Sequence, residues 1–135
     1  DGRKMSKSYD NTIPIFATEK ALRKQVMRIV TDSKRPEDPK DPDGDTLYTL
    51  LSFFVSPNRL EEIRQLYVHG GAAYGELKKE LADAILVHFG DARAHFDALI
   101  QDTAYLDKVL LEGAAKARQI GKPYLVAARK ATGID

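Results

Sequence analysis

Residues 74–99 read YGELKKELADAILVHFGDARAHFDAL, and this stretch decides the fold class. Leu77, Leu81, Ile85, Phe89 (or His88), Ala92, Phe96 and Leu99 recur every three or four positions. With about 3.6 residues per turn, that period puts them on one stripe of an α-helix. Gly90 weakens the stretch midway, by roughly 1 kcal/mol relative to Ala, and offers a place for a bend. A single long helix is expected over residues 74–99.

The same period continues on both sides. Thr18 is a fair helix N-cap with Glu19 well placed for the dipole, and Leu22, Val26, Ile29 and Val30 follow at helical spacing. A helix is therefore expected over residues 19–30, with Arg23, Lys24 and Arg28 toward its other side. Asp45 or Thr46 can cap an apolar helix over 47–55 that belongs in the core. Ser56-Pro57 pairs an N-cap with proline at the first helical position. The helix that follows turns Leu60, Ile63, Leu66 and Tyr67 inward, leaves Glu61, Glu62 and Arg64 to solvent, and stops at Gly70-Gly71. Asp102 or Thr103 caps a further helix with Leu106, Val109, Leu110, Ala114 and Ala117 inside. Gly121-Lys122-Pro123 is expected to break it, leaving a short closing helix over 124–131 that ends at Gly133. No segment alternates as a strand does, and there is no internal repeat. The fold class is all-α: a helical bundle preceded by an irregular loop over residues 1–17.

A chain of 135 residues suits one domain with a moderate core. Its 43% hydrophobic and 30% charged residues are those of a soluble globular protein rather than a disordered or membrane-spanning one. There is no cysteine, which excludes disulfides and thiolate metal sites and agrees with a reducing cytoplasm. His69, His88 and His95 are too few for a zinc site, even though His88 and His95 lie two turns apart on one face. Nothing approaches the roughly 20 apolar residues that cross a bilayer. The opening Asp1-Gly2-Arg3, without an initiator Met, suggests a piece of a longer protein.

Charge is distributed unevenly. Residues 1–35 carry nine Lys/Arg against four Asp/Glu, residues 36–75 three against seven, and residues 76–135 nine against nine. Phosphate would therefore be held by local patches, the basic end first, rather than by the whole surface. Between residues 32 and 44 three prolines, Pro36, Pro39 and Pro42, forbid a helix and favour extended, hydrated backbone. The spacing of Asp41, Asp43 and Asp45 is reminiscent of a calcium loop, but Pro42 and the lack of a closing Glu argue against one. No metal site is expected.

Residues 1–12 carry the chemistry. On composition alone, a short run of Lys and Ser is a solvated tail. The alternative is a phosphate loop. Lys4 and Lys7 supply two ammonium groups three residues apart, Ser6 and Ser8 add hydroxyl donors, and turn backbone presents amides to the same anion. Such groups stabilise charge that builds on a leaving pyrophosphate, and loop mobility allows closure over a nucleotide.

Lys4-Met5-Ser6-Lys7-Ser8 matches, letter for letter, the KMSKS motif of class I aminoacyl-tRNA synthetases. Val30-Thr31-Asp32-Ser33, residues 74–84 (YGELKKELADA) and Gly113-Ala114-Ala115-Lys116-Ala117 resemble, in the same order, stretches of the tryptophanyl members. The resemblance covers nearly the whole chain. It implies a C-terminal portion of such an enzyme, whose α/β Rossmann catalytic domain joins tryptophan to ATP and then passes the tryptophanyl group to its tRNA. On this reading residues 1–17 are the KMSKS loop at the tail of the catalytic domain. Residues 18–44 are a linking helix and Pro-rich connector, and residues 45–135 a helical domain that helps recognise the anticodon.

The resemblance further implies that Lys7 and Lys4 act in catalysis, with Lys4, Met5, Ser6, Lys7 and Ser8 forming the ATP-phosphate site. Candidate tRNA contacts are Lys78, Lys79, Lys116, Arg118, Lys122, Arg129 and Lys130. The implied ligands are ATP with Mg2+, tryptophan and the tRNA for tryptophan; the implied enzyme is a cytoplasmic homodimer with no membrane attachment. The family's HIGH-type motif, its nucleotide-binding sheet and the tryptophan pocket are not found in this chain. By itself the chain is thus expected neither to activate tryptophan nor to bind ATP tightly, and Lys7 is expected to face solvent. A tyrosyl-tRNA synthetase shares the motif but continues into a further RNA-binding module. A stand-alone helical RNA-binding or interaction domain would make the motif accidental.

Overall fold

The computed structural model describes residues 2–134; Asp1 and Asp135, the outer limits of the first and last expected segments, lie outside the described residues. Among the described residues six α-helices follow one another: α1 (Glu19–Met27), α2 (Thr46–Leu51), α3 (Pro57–His69), α4 (Tyr74–His88), α5 (Gly90–Leu99) and α6 (Thr103–Thr132). No strand occurs among the described residues. The all-α reading holds. Two compact units divide the chain, one reaching to Arg93 and one starting at Ala94.

In the first unit the caps form as their side chains dictate. Thr18 Oγ1 accepts the Ala21 N–H at 3.3 Å, Asp45 Oδ1 that of Tyr48 at 2.7 Å, and Ser56 Oγ that of Arg59 at 3.3 Å. The core gathers Leu22 and Val26 of α1, Leu47 and Leu51 of α2, Ile63 and Tyr67 of α3, and Leu77, Leu81, Ala82 and Ile85 of α4. Burying a leucine or isoleucine fully contributes roughly 2 kcal/mol, so this cluster is the main source of stability. Around its rim Arg23 pairs with Asp83 at 2.6 Å, joining α1 to α4, and Arg59 donates to both carboxylate oxygens of Glu80 at 2.8 and 3.0 Å, joining α3 to α4.

Several helices end sooner than their apolar period suggests. α1 stops at Met27 and not at residue 30: Ile29, Val30 and Thr31 form a β-branched run, and the Asp32 carboxylate captures the Lys34 N–H at 3.0 Å in a turn. α2 stops at Leu51, where the Ser52 hydroxyl donates to the Thr49 carbonyl at 2.7 Å and the chain tightens. The long stretch over 74–99 is two helices. Phe89 leaves helical geometry (φ −98°, ψ 11°) and packs edge-on to Phe54 at 6.1 Å.

The second unit departs from expectation in the opposite sense. α6 runs unbroken through Gly121-Lys122-Pro123. Proline removes one N–H, which leaves the Gln119 carbonyl without its helical donor, and on this helix no residue is buried, so water can serve that carbonyl. The flanking Ala, Leu, Lys and Arg favour helix strongly enough to carry the defect. Leu106, Val109, Leu110 and Ala117, expected inside, are exposed, and Ala114 is half-exposed.

The Pro-rich connector is not a hydrated strand. Lys40, only 4% exposed, sends its ammonium to the carbonyls of Arg35 (2.6 Å), Pro36 (3.2 Å) and Asp38 (2.9 Å). Its own N–H donates to the Tyr67 carbonyl at 2.6 Å, and the Gly71 N–H to the Pro36 carbonyl at 2.7 Å. The connector is thereby strapped to the end of α3. Gly70, at φ 89° and ψ 153°, lies where L side chains are strained, and a Cβ there would drive into the Glu37 carbonyl. Tyr67 is fully buried against the edges of Tyr48 and Tyr74, and its hydroxyl donates to Asp45 Oδ1 at 3.2 Å.

Two outcomes follow for stability. Gly70→Ala should lower the thermal midpoint by several degrees, corresponding to about 2 kcal/mol or more of backbone strain. Burial, then the charge of Asp45, hold the Tyr67 phenol well above its ordinary value. A raised folded pKa means that the stabilisation is complete below the unfolded value of about 10 and is lost as pH climbs above it. Melting followed from pH 9 to 11.5 should therefore fall, and Tyr67→Phe should make that fall shallower although it forfeits about 1 kcal/mol of hydrogen bonding at neutral pH.

Candidate functional site

Residues 4–11 fold back on themselves. Ser6 is extended (φ −148°, ψ 140°), Lys7–Tyr9 make a single 3-10 turn, and Asp10 closes it in the left-handed region at φ 51°, with its N–H on the Lys7 carbonyl at 3.2 Å. Aspartate and asparagine tolerate that conformation better than other non-glycine residues. Asn11 then reaches back: its Oδ1 accepts the Ser6 N–H at 2.7 Å and its Nδ2 donates to the Lys4 carbonyl at 3.4 Å. The Ser6 and Ser8 hydroxyls are hydrogen-bonded to each other at 2.8 Å. The Arg3 guanidinium lies 4.6 Å from the centre of the Tyr9 ring.

The loop is fastened to the last turn of α1. Arg28 Nη1 meets Asp10 Oδ2 at 2.7 Å and Gln25 Oε1 at 3.0 Å, while Gln25 Nε2 donates to the Asp10 carbonyl at 2.9 Å. Beneath the loop lies a cavity of about 420 Å³ bordered by Arg3, Met5, Tyr9, Asn11, Arg28 and Thr46, among others. Met5 lines it. Lys4, Ser6, Lys7 and Ser8 do not. Met5, although it borders the cavity, stays 46% exposed.

Lys4 and Lys7 are exposed, and among the described residues neither ammonium is engaged in an ion pair. Two cations and two hydroxyls on one short turn present the donor set that a polyphosphate requires. No group of three His, Cys, Asp or Glu among the described residues could hold a metal ion.

The basic residues picked out for RNA separate into different surroundings. On α4, Lys78 is half-buried and desolvation lowers its pKa, partly offset by Asp45. Lys79 is exposed but pairs with Glu76 at 2.8 Å. On α6, Lys116, Arg118, Lys122, Arg129 and Lys130 are all exposed. At 100° per residue Arg118, Lys122 and Arg129 fall along one flank, about 16 Å from end to end at 1.5 Å per residue. The sequence places Asp10 and Asn11 within the loop of residues 1–17 without giving them a role, sets Arg28 on the side of the helix away from its apolar stripe, and carries no signal that singles out Gln25.

Two of the segments that carried the sequence resemblance, residues 30–33 and 74–84, meet in space. Asp32 of Val30-Thr31-Asp32-Ser33 accepts the Tyr74 hydroxyl at 2.9 Å, and Tyr74 is the first residue of α4. That bond and the Lys34 N–H hold the Asp32 carboxyl below its usual range, the amide contributing more.

Comparison with known proteins agrees with this arrangement. The family model for tRNA synthetases class I (W and Y) matches residues 1–90. The tryptophan–tRNA ligase of Pseudomonas aeruginosa is 45% identical over 134 residues, 99% of this chain and 30% of that protein. The tryptophan–tRNA ligase of Rhodopirellula baltica is 44% identical over 134 residues, 99% of this chain and 42% of that protein. Among solved structures, tryptophanyl-tRNA synthetase from Campylobacter jejuni, crystallised with ADP and tryptophan, superposes with a TM-score of 0.84 at 38% identity. That match covers 98% of this chain and 42% of the other. The chain thus spans less than half the length of the relatives it matches.

Proposed function

The chain belongs to the class I tRNA synthetases for tryptophan and tyrosine, and from that premise we propose that it is part of a tryptophan–tRNA ligase. In this reading residues 4–8 supply the loop that grips the ATP phosphates, and the helical region supplies the surface that meets tRNA. Tryptophan is favoured over tyrosine by the relatives at 45% and 44% identity, both tryptophan–tRNA ligases. The observation that carries the loop's role is the outward, unpaired pair Lys4 and Lys7 on a turn fixed by its own hydrogen bonds.

The chemistry follows from those two cations. The tryptophan carboxylate attacks the α-phosphorus of ATP, the bond to the β-phosphate oxygen breaks, and negative charge collects on the departing pyrophosphate. Lys7, the second lysine of the motif, stabilises that charge as it forms, with Lys4 as a second contact; since the Ser6 and Ser8 hydroxyls are bonded to each other, one of their two protons is left to donate from the same turn. Magnesium would arrive with the nucleotide; among the described residues no three carboxylates converge as a cage for it, so no step is assigned to a metal held here. The second half-reaction moves the tryptophanyl group from AMP to the end of its tRNA, and Arg118, Lys122 and Arg129 on α6 form the most coherent cationic flank for the RNA backbone. Lys78, half-buried, is the weakest of the proposed contacts. The assembled enzyme is proposed to be a cytoplasmic homodimer; among the described residues no helix is long and apolar enough to cross a membrane.

The loop needs the rest of the enzyme to hold adenine and tryptophan, so this chain alone should show no tryptophan-dependent ATP–pyrophosphate exchange. Exchange on the purified chain at a rate near that of an intact synthetase would overturn the division of labour proposed here. In the full-length enzyme Lys7→Ala should lower kcat for exchange by at least 100-fold, about 2.7 kcal/mol of transition-state stabilisation, while leaving KM for tryptophan little changed.

A further inference from the structure

The hydrogen bonds that shape the KMSKS turn come from residues outside it. Asn11 uses one carboxamide to grip the backbone at two places, accepting from the Ser6 N–H at 2.7 Å and donating to the Lys4 carbonyl at 3.4 Å. These points bracket Met5, so the side chain closes residues 4–11 into a ring and sets the separation between the Cα positions of Lys4 and Lys7. Without it, the extended Ser6 would keep its Ser8 hydroxyl contact and the turn its backbone bonds from Tyr9 and Asp10, but the Lys4 carbonyl and the Ser6 N–H would lose the side chain that ties them together.

A second fastening sets where that ring sits. Asp10, at the end of the turn, offers its carboxylate to Arg28 at 2.7 Å and its carbonyl to Gln25 at 2.9 Å. Arg28 also holds Gln25 Oε1 at 3.0 Å, so the two α1 side chains brace one another. Gln25 and Arg28 are one turn apart at the end of a helix whose Leu22 and Val26 are fully buried in the core. The loop therefore takes its position from a helix anchored in the core. The Arg28 pair is itself largely exposed, 54% and 74% for the two side chains, which makes it a fastening that can release.

We propose that Asn11 and Arg28 are positioning residues for the phosphate chemistry. Asn11 fixes the shape of the turn that spaces the two lysines, and Arg28, through Asp10, fixes the turn against α1. The inference rests on the reading that Lys4 and Lys7 contact ATP phosphates, and neither Asn11 nor Arg28 is assigned any contact with substrate.

The test uses the full-length enzyme and tryptophan-dependent ATP–pyrophosphate exchange, with Lys7→Ala as reference. Asn11→Ala should reduce kcat at least tenfold and Arg28→Ala about fivefold, with KM for tryptophan within twofold of the parent and the melting midpoint within a few degrees. Arg28→Lys, which keeps a cation opposite Asp10, should recover at least half of the Arg28→Ala loss. A kcat within twofold of the parent for both alanine variants, with Lys7→Ala strongly impaired, overturns the positioning role and leaves the phosphate reading standing. So does a loss in which KM for tryptophan and the melting midpoint move together with kcat, since that is general damage. A silent Lys7→Ala removes the phosphate reading and the inference with it.

Discussion

The packing of α1 against α4 is the constraint on which the rest of the first unit depends. Leu22 and Val26, four residues apart, are fully buried, and the facing stripe of α4 is Leu77, Leu81 and Ile85. Because apolar burial is proportional to area and indifferent to direction, this contact fixes only that the helices meet. Direction comes from polar ties at the rim: Arg23 to Asp83 on one side, and Asp32 to the Tyr74 hydroxyl where the chain leaves α1 and later enters α4. The motif loop takes its place from the end of α1, while the connector is strapped to the end of α3.

The strengths of these contacts are graded in a way that suits a moving loop. Buried apolar contacts hold the frame, at roughly 2 kcal/mol per large side chain. The loop is fastened to that frame by exposed polar bonds, which contribute at most about 1 kcal/mol each in water. On the proposed reading, a loop that closes over a nucleotide and reopens needs a resting shape of low entropy and a fastening of low strength. Asn11 provides the first and the Asp10–Arg28 pair the second. Met5 and Tyr9 border the cavity yet stay largely exposed, so they add little apolar burial to hold the turn down.

Fold class and the capped helix starts were legible in the residues. Capping residues act over three positions, so Thr18, Asp45, Ser56 and Asp102 could be read directly, and each caps as its chemistry requires. Helix ends were less legible, because they are decided by competition. Asp32 took the Lys34 amide and the Ser52 hydroxyl took a helical carbonyl, and neither outcome is visible in apolar spacing. Pro123 misled for the opposite reason: its penalty is real but small against thirty residues of good helix formers. The apolar period of α6 looked like a buried face, yet periodicity reports amphipathicity and is silent about what covers it. Of the candidate site, the residue types announced Lys4 to Ser8. The side chains that hold them lie up to 18 positions further on, and only a fold brings Arg28 to Asp10.

Lys40 narrows what can be substituted in the connector. An ammonium carries three hydrogens, and here three backbone carbonyls surround it, so its donor capacity matches its environment one for one. Arginine would bring five donors on a planar fork into a space shaped for a tetrahedral cation, and methionine would fill the volume while stranding all three carbonyls. The prolines around it hold the carbonyls apart whether or not a cation is present. Position 40 is therefore a point of low mutational tolerance in a stretch that otherwise looks free to drift, and length changes between residues 35 and 40 would be tolerated poorly for the same reason.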